Sequence, residues 1–142
     1  MTMNLNGTEK RVDLRTDEML LDVLRRLGLH SVRRGCDTSA CGICTVLVEG
    51  KPVLSCSYPA ARAEGKRVTT VEGVRAEAEE IGRFLAAEGV EQCGFCSPSL
   101  VLTLLSLVRE NPQPTMDEVR HYMAGNLCRC SGYEGHLRAI GK

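Results

Sequence analysis

Eight cysteines in 142 residues, at positions Cys36, Cys41, Cys44, Cys56, Cys93, Cys96, Cys128 and Cys130, constrain this chain more than any other feature of its sequence. They fall into two sets of four, one in each half. The opening residues 1–10 lack the charged-then-apolar order of a secretory signal, and no 18-residue apolar run exists. The mature chain is therefore expected in the cytoplasm, where thiols stay reduced, and the cysteines call for an explanation other than disulfides. Two Phe, three Tyr and no Trp leave little to fill two half-size cores, so metal cross-links or a partner surface are expected to supplement them. The net charge of +0, from 18 Lys+Arg and 18 Asp+Glu, offers no basic surplus for a nucleic-acid backbone.

The first half reads as short strands with one helix. Residues 3–5 and 11–14 flank Asn6-Gly7, a dipeptide suited to a two-residue hairpin turn. Thr16 has the chemistry of a cap for a helix whose apolar positions Leu20, Leu24 and Leu27 share a face, stopped by Gly28. Residues 45–48 and 52–54 read as a second hairpin, and 68–71 as a further strand. Beyond Gly73 the pattern changes to helices, which places a domain boundary there, with 1–73 and 74–142 as the two units. Residues 76–87 are rich in Ala and Glu, both good helix formers. Ser97-Pro98 marks a helix start, with a hydroxyl cap and Pro at the first turn, followed by Leu100, Val101, Leu104, Leu105 and Val108 at helical spacing. Thr115 with Glu118, and Ser131 with Glu134, have capping-box spacing for two more helices, the last over about 133–140. The expected fold is thus α+β: a small mixed sheet carrying one helix, then a four-helix bundle.

Cys36, Cys41 and Cys44 form C-x4-C-x2-C, followed by Cys56, which matches plant-type [2Fe-2S] ligand spacing. Gly35, Ser39, Ala40 and Gly42 are small enough for the backbone to wrap a cluster and aim N–H groups at its sulfurs. Gly42, between two candidate ligands, is the position least tolerant of a side chain. Four cysteines also suit tetrahedral zinc, but zinc modules usually present paired C-x2-C knuckles. In the second half, Cys93 and Cys96 form C-x2-C and Cys128 and Cys130 form C-x-C; taken alone this set leaves zinc open. Cys96 precedes a helix start, so the positive end of the helix dipole is expected to face the thiolates.

The runs Gly35-Cys36-Asp37-Thr38-Ser39-Ala40-Cys41-Gly42-Ile43-Cys44-Thr45-Val46, Gln92-Cys93-Gly94-Phe95-Cys96-Ser97-Pro98 and Gly125-Asn126-Leu127-Cys128-Arg129-Cys130-Ser131-Gly132-Tyr133 resemble, in order, those of the small iron-sulfur subunits of molybdenum hydroxylases. That family includes xanthine dehydrogenase, aldehyde oxidoreductase and carbon monoxide dehydrogenase. The resemblance implies an N-terminal plant-ferredoxin-like β-grasp domain and a C-terminal four-helix-bundle domain, each holding one [2Fe-2S] cluster through its four cysteines. It implies a large subunit with a molybdopterin (Mo) cofactor, a medium subunit with FAD, and a dimer of heterotrimers. Gln92 and Cys130 would sit against the pterin edge. Electrons would pass singly from molybdenum to the helical-domain cluster, then to the β-grasp cluster, then to FAD, and no residue of this chain would act on substrate. Ser99, Ile43 and His136 depart from the family, which commonly has Gly, Ala and an aliphatic residue there. His30, His121 and His136 read as surface or packing residues, and Arg33 and Arg34 as solvated charges.

Overall fold

The computed structural model describes residues 1–141. Strands β1 (Thr2–Leu5) and β2 (Thr8–Arg11) form the first hairpin, with Thr2 opposite Arg11 and Leu5 opposite Thr8. Its turn places Asn6 at φ 52° and Gly7 at φ 84°, the left-handed pair that a two-residue turn needs and these residue types tolerate. Strands β3 (Thr45–Val48) and β4 (Lys51–Leu54) form the second, and β5 (Arg67–Thr69) lies between the hairpins, giving the order β2-β1-β5-β3-β4. Strand β5 runs parallel to β1 and antiparallel to β3. Helix α1 (Leu20–Arg26) buries Leu20, Leu21, Val23 and Leu24 on this sheet, among Met3, Leu5, Val46, Val48 and Val68. Each such burial stabilises the fold by about 1.5–3 kcal/mol.

Thr16 does not cap α1. The N-cap is Met19, which forms a β-bridge with Pro59, while the Leu20 N–H donates to the Tyr58 carbonyl at 2.8 Å. A remote segment supplies the acceptor that a hydroxyl would otherwise provide.

Four further helices follow: α2 (Arg75–Ala87), α3 (Ser97–Glu110), α4 (Met116–Met123) and α5 (Glu134–Ile140). Helix α3 is buried from Ser99 through Leu107, so it is wetted on no side over that length. One side meets the sheet, where Leu102 and Leu105 join Leu47 and Val74; the other, with Leu100, Leu104 and Leu107, joins Leu85 of α2, Val119 and Met123 of α4 and Ala139 of α5. Its buried hydroxyls are all satisfied. Ser99 Oγ donates to Cys96 O at 2.9 Å, Thr103 Oγ1 to Ser99 O at 3.0 Å and Ser106 Oγ to Gly50 O at 3.1 Å. The last of these ties α3 to the turn between β3 and β4.

The capping box of Thr115 and Glu118 is present, each side chain meeting the other's backbone N–H. The other two hydroxyl caps are not. Ser97 is the first helical residue of α3, after Cys96, and its hydroxyl donates to the Glu91 carboxylate at 2.9 Å. Helix α5 starts from Tyr133 in the left-handed conformation, with φ 72°, and Ser131 is turned toward the second cysteine set instead. Among the described residues no helix is long and apolar enough to cross a membrane.

Candidate metal centres

The loop between α1 and β3 carries Cys36, Cys41 and Cys44, and the turn after β4 brings Cys56 to it. The sulfurs group in twos. Cys36 neighbours Cys41, and Cys44 neighbours Cys56. Backbone N–H groups, that of Cys41 first, then Thr38 and Ala40, pull the Cys36 thiol down to about 6. Burial pushes its partner Cys41 up, and burial followed by the neighbouring Cys56 pushes Cys44 up to about 11. The Ile43 N–H points at Cys41 Sγ, 3.4 Å away, and Ser39 Oγ lies 3.4 Å from Cys56 Sγ.

The second set has the same layout. Cys93 and Cys96 stand before α3, Cys128 and Cys130 between α4 and α5, and they pair as Cys93 with Cys130, sulfurs 3.6 Å apart, and Cys96 with Cys128. Burial, then Cys128, pushes Cys96 up to about 12. Loss of water thus outweighs the one lowering contact at this thiol, from its own backbone N–H. On Cys128 burial works upward most strongly, but the Ser131 hydroxyl with the N–H groups of Ser131 and Cys130 outweighs it, and the thiol is held low. The Phe95 N–H lowers Cys93, and Cys93 raises Cys130.

Among the described residues no three His, Cys, Asp or Glu side chains are arranged as a single-ion site. Two thiols, then two more, is instead the donor arrangement suited to a two-iron cluster held by four thiolates. Metal binding requires these thiols to be deprotonated, so it would displace their protons. The residues fit the group, and in the first set the cradle does too. Gly42 has φ +71°, and a Cβ there would run into the Gly125 carbonyl oxygen of the other half. Next to it the Leu127 N–H donates to Cys41 O at 2.8 Å. A main-chain seam thus joins the loop of the first set to the residue before Cys128.

Two side chains to which the sequence gave no such role brace this seam, Arg33 and Asn126. Arg33 is not a solvated charge: its guanidinium donates to Gly94 O at 2.7 Å and Phe95 O at 3.0 Å and lies 5.3 Å from the centre of the Phe95 ring. It clamps the Cys93–Cys96 loop from the opposite half. Arg34 pairs with Asp22 at 3.1 Å on the surface, as read. Asn126 is buried and its Nδ2 donates to Thr103 Oγ1 at 3.0 Å, whose own proton goes to Ser99. Asn126→Ala should cost about 1–3 kcal/mol by leaving a buried hydroxyl short of a partner; a fall in the thermal midpoint checks this. The signal for Asn126 lay within the quoted motif but depended on a residue of α3. Gln92 and Cys130 are brought together, Gln92 Nε2 donating to Cys130 O at 3.4 Å. Of the departures, Ser99 spends its hydroxyl on Cys96 O, Ile43 lies against Gly35, and His136 is buried at 2% exposure. His30 and His121 are both exposed, as read.

The fold and the two thiol sets define a carrier of two iron-sulfur clusters, and the known proteins agree. A 2Fe-2S iron-sulfur cluster binding domain matches residues 3–86, and a [2Fe-2S] binding domain matches 70–141. The chain is 39% identical over 94% of its length to the nicotinate dehydrogenase small FeS subunit of Eubacterium barkeri, of which the match covers 87%. It is 42% identical over 92% of its length to the xanthine dehydrogenase iron-sulfur-binding subunit of Escherichia coli O157:H7, covering 84% of that protein. The crystal structure of quinoline 2-oxidoreductase from Pseudomonas putida 86 superimposes with a TM-score of 0.91 at 38% identity, over 99% of this chain and 88% of that one. The chain belongs to the family of small [2Fe-2S] iron-sulfur subunits of the molybdenum hydroxylases, and is a component of an oxidoreductase.

Proposed function

We propose that this chain is the electron-transfer subunit of a molybdenum-dependent hydroxylase or dehydrogenase, with residues 1–73 forming a β-grasp domain and residues 74–142 a helical one. Cys36, Cys41, Cys44 and Cys56 would hold one [2Fe-2S] cluster, and Cys93, Cys96, Cys128 and Cys130 the other. When bound, these clusters would supply one-electron carriage between a molybdopterin centre on a large subunit and FAD on a medium subunit. The observation that carries this reading is the seam: two pairwise thiol sets in different halves, held by the Leu127 to Cys41 backbone hydrogen bond.

The chain's own residues do three things in this scheme. Buried Cys41 and Cys44 keep water from one side of the first set, while Ile43 N–H and Ser39 offer dipoles to its sulfurs. Arg33 holds the Gly94 and Phe95 carbonyls away from the second set. At the surface, Cys93 and Cys130 are exposed, flanked by Phe95 at 42% and Leu127 at 46% exposure, two large apolar side chains that suit a protein partner. Leu127 also lines a groove of about 230 Å³ with Tyr133, Leu137 and Met123. We assign this face to the large subunit, with Gln92 and Cys130 on the pterin side. The assembly would be a cytoplasmic dimer of heterotrimers without nucleic acid or a membrane span.

The test is anaerobic purification of the tagged chain with whatever accompanies it, followed by metal analysis and EPR of the dithionite-reduced sample. The expected result is about four irons per chain, two distinct signals, and co-purifying molybdopterin-binding and flavin-binding subunits. A lone chain with two clusters would make it a free carrier. Zinc in place of iron would overturn the reading.

A further inference from the structure

His136 does more than fill space. It is buried on α5, and its Nδ1 lies 3.1 Å from Ser131 Oγ, which in turn lies 3.3 Å from Cys128 Sγ. Ser131 Oγ also accepts from the Tyr133 N–H at 3.2 Å. A serine hydroxyl has one proton to give and two lone pairs to fill. The Tyr133 N–H can only donate, so it takes one lone pair. Cys128 as a cluster thiolate can only accept. The remaining ambiguity is whether the hydroxyl proton goes to sulfur or to the imidazole, and a charged acceptor makes the stronger hydrogen bond. The proton then belongs to Cys128 Sγ, and His136 must fill the second lone pair as an Nδ1–H donor. Its environment agrees: burial holds the imidazole pKa below the usual value, which favours a neutral ring with one N–H, against a weaker upward pull from Glu91. Tyr133 stands tilted beside it, ring centroids 6.2 Å apart.

We propose that His136 and Ser131 form a relay that directs a hydroxyl proton at Cys128 Sγ and thereby raises the reduction potential of the second cluster. With both lone pairs occupied, the hydroxyl cannot rotate away from sulfur, and accepting from His136 polarises its O–H bond further. A hydrogen bond to a ligand sulfur favours the more negative, reduced cluster. His136 is a positioning residue in this scheme, because it reaches the sulfur only through Ser131. The inference rests on the second cysteine set holding a [2Fe-2S] cluster.

The test is an EPR-monitored redox titration of the anaerobically purified complex, with iron and sulfide counted in every variant. Ser131→Ala should favour the oxidised form of the second cluster by about tenfold, which is a fall of about 59 mV for a one-electron couple. His136→Leu should shift it in the same direction by less, and His136→Asn, whose amide can replace the Nδ1–H donor, should stay nearer the parent. The first cluster should keep its potential throughout. A potential that rises in His136→Leu would mean that Ser131 had been donating to the imidazole, and the relay would be overturned; so would an unchanged potential in both His136→Leu and Ser131→Ala. Should Ser131→Ala lose iron, His136→Leu against His136→Asn decides alone. A parent complex without iron in the second set refutes the cluster assignment rather than the relay.

Discussion

Gly42→Ala will strip iron from the first cysteine set and destabilise the whole chain by about 3 kcal/mol or more. Two costs combine. A non-glycine residue at φ +71° is strained by about 1–3 kcal/mol, and its Cβ would collide with the Gly125 carbonyl, a main-chain atom that cannot swing aside. Opening the seam to relieve the collision would break the Leu127 to Cys41 hydrogen bond and shift Cys41 itself. Gly65→Ala separates the two costs, because Gly65 has φ +70° with nothing near its would-be Cβ. Thermal unfolding and iron analysis of both variants are the measurements. If Gly42→Ala costs no more than Gly65→Ala and keeps its iron, the seam is looser than described.

Cys96→Ala will lower the iron content from about four to about two per chain and erase one EPR signal while sparing the other. Cys96 is the most strongly desolvated thiol of its set, pushed to about 12 by burial, and Cys128 is its partner. Removing it leaves Cys128 as a lone thiolate, whereas the first set lies on separate elements with its own four sulfurs. Alanine fits this half-buried position, so the protein should remain folded. Complete loss of iron would show that the two sets load as one unit.

Much of this architecture could be read from local pattern, because the deciding chemistry was local. Asn6-Gly7 names its own turn, and Thr115 with Glu118 satisfies both N–H groups of its box within four residues. The cysteine sets were legible because a thiol in reduced surroundings has few other uses at such spacing. What failed was the assignment of hydroxyls. Thr16, Ser97 and Ser131 all read as hydroxyl caps, yet none caps a helix. In two of the three the competing partner can be named: Glu91 for Ser97, and Cys128 with His136 for Ser131. A one-dimensional pattern shows that a hydroxyl is available but not which partner folding brings within reach. Arg33 was misjudged for the same reason, since the carbonyls it binds lie at Gly94 and Phe95, some sixty residues away.

The seam between the two loops has a consequence for how such a subunit can diverge. Its defining atoms, Cys41 O with the Leu127 N–H and Gly42 against the Gly125 carbonyl, are main chain, so almost any side chain at 127 preserves them. Tunnelling between redox groups weakens steeply with every added ångström, and a gap set by side chains would drift with each substitution. On the proposed electron route, the outward surface could be rewritten to suit a new catalytic partner while the hop length stays the same. The wiring is insulated from the evolution of the appliance it serves.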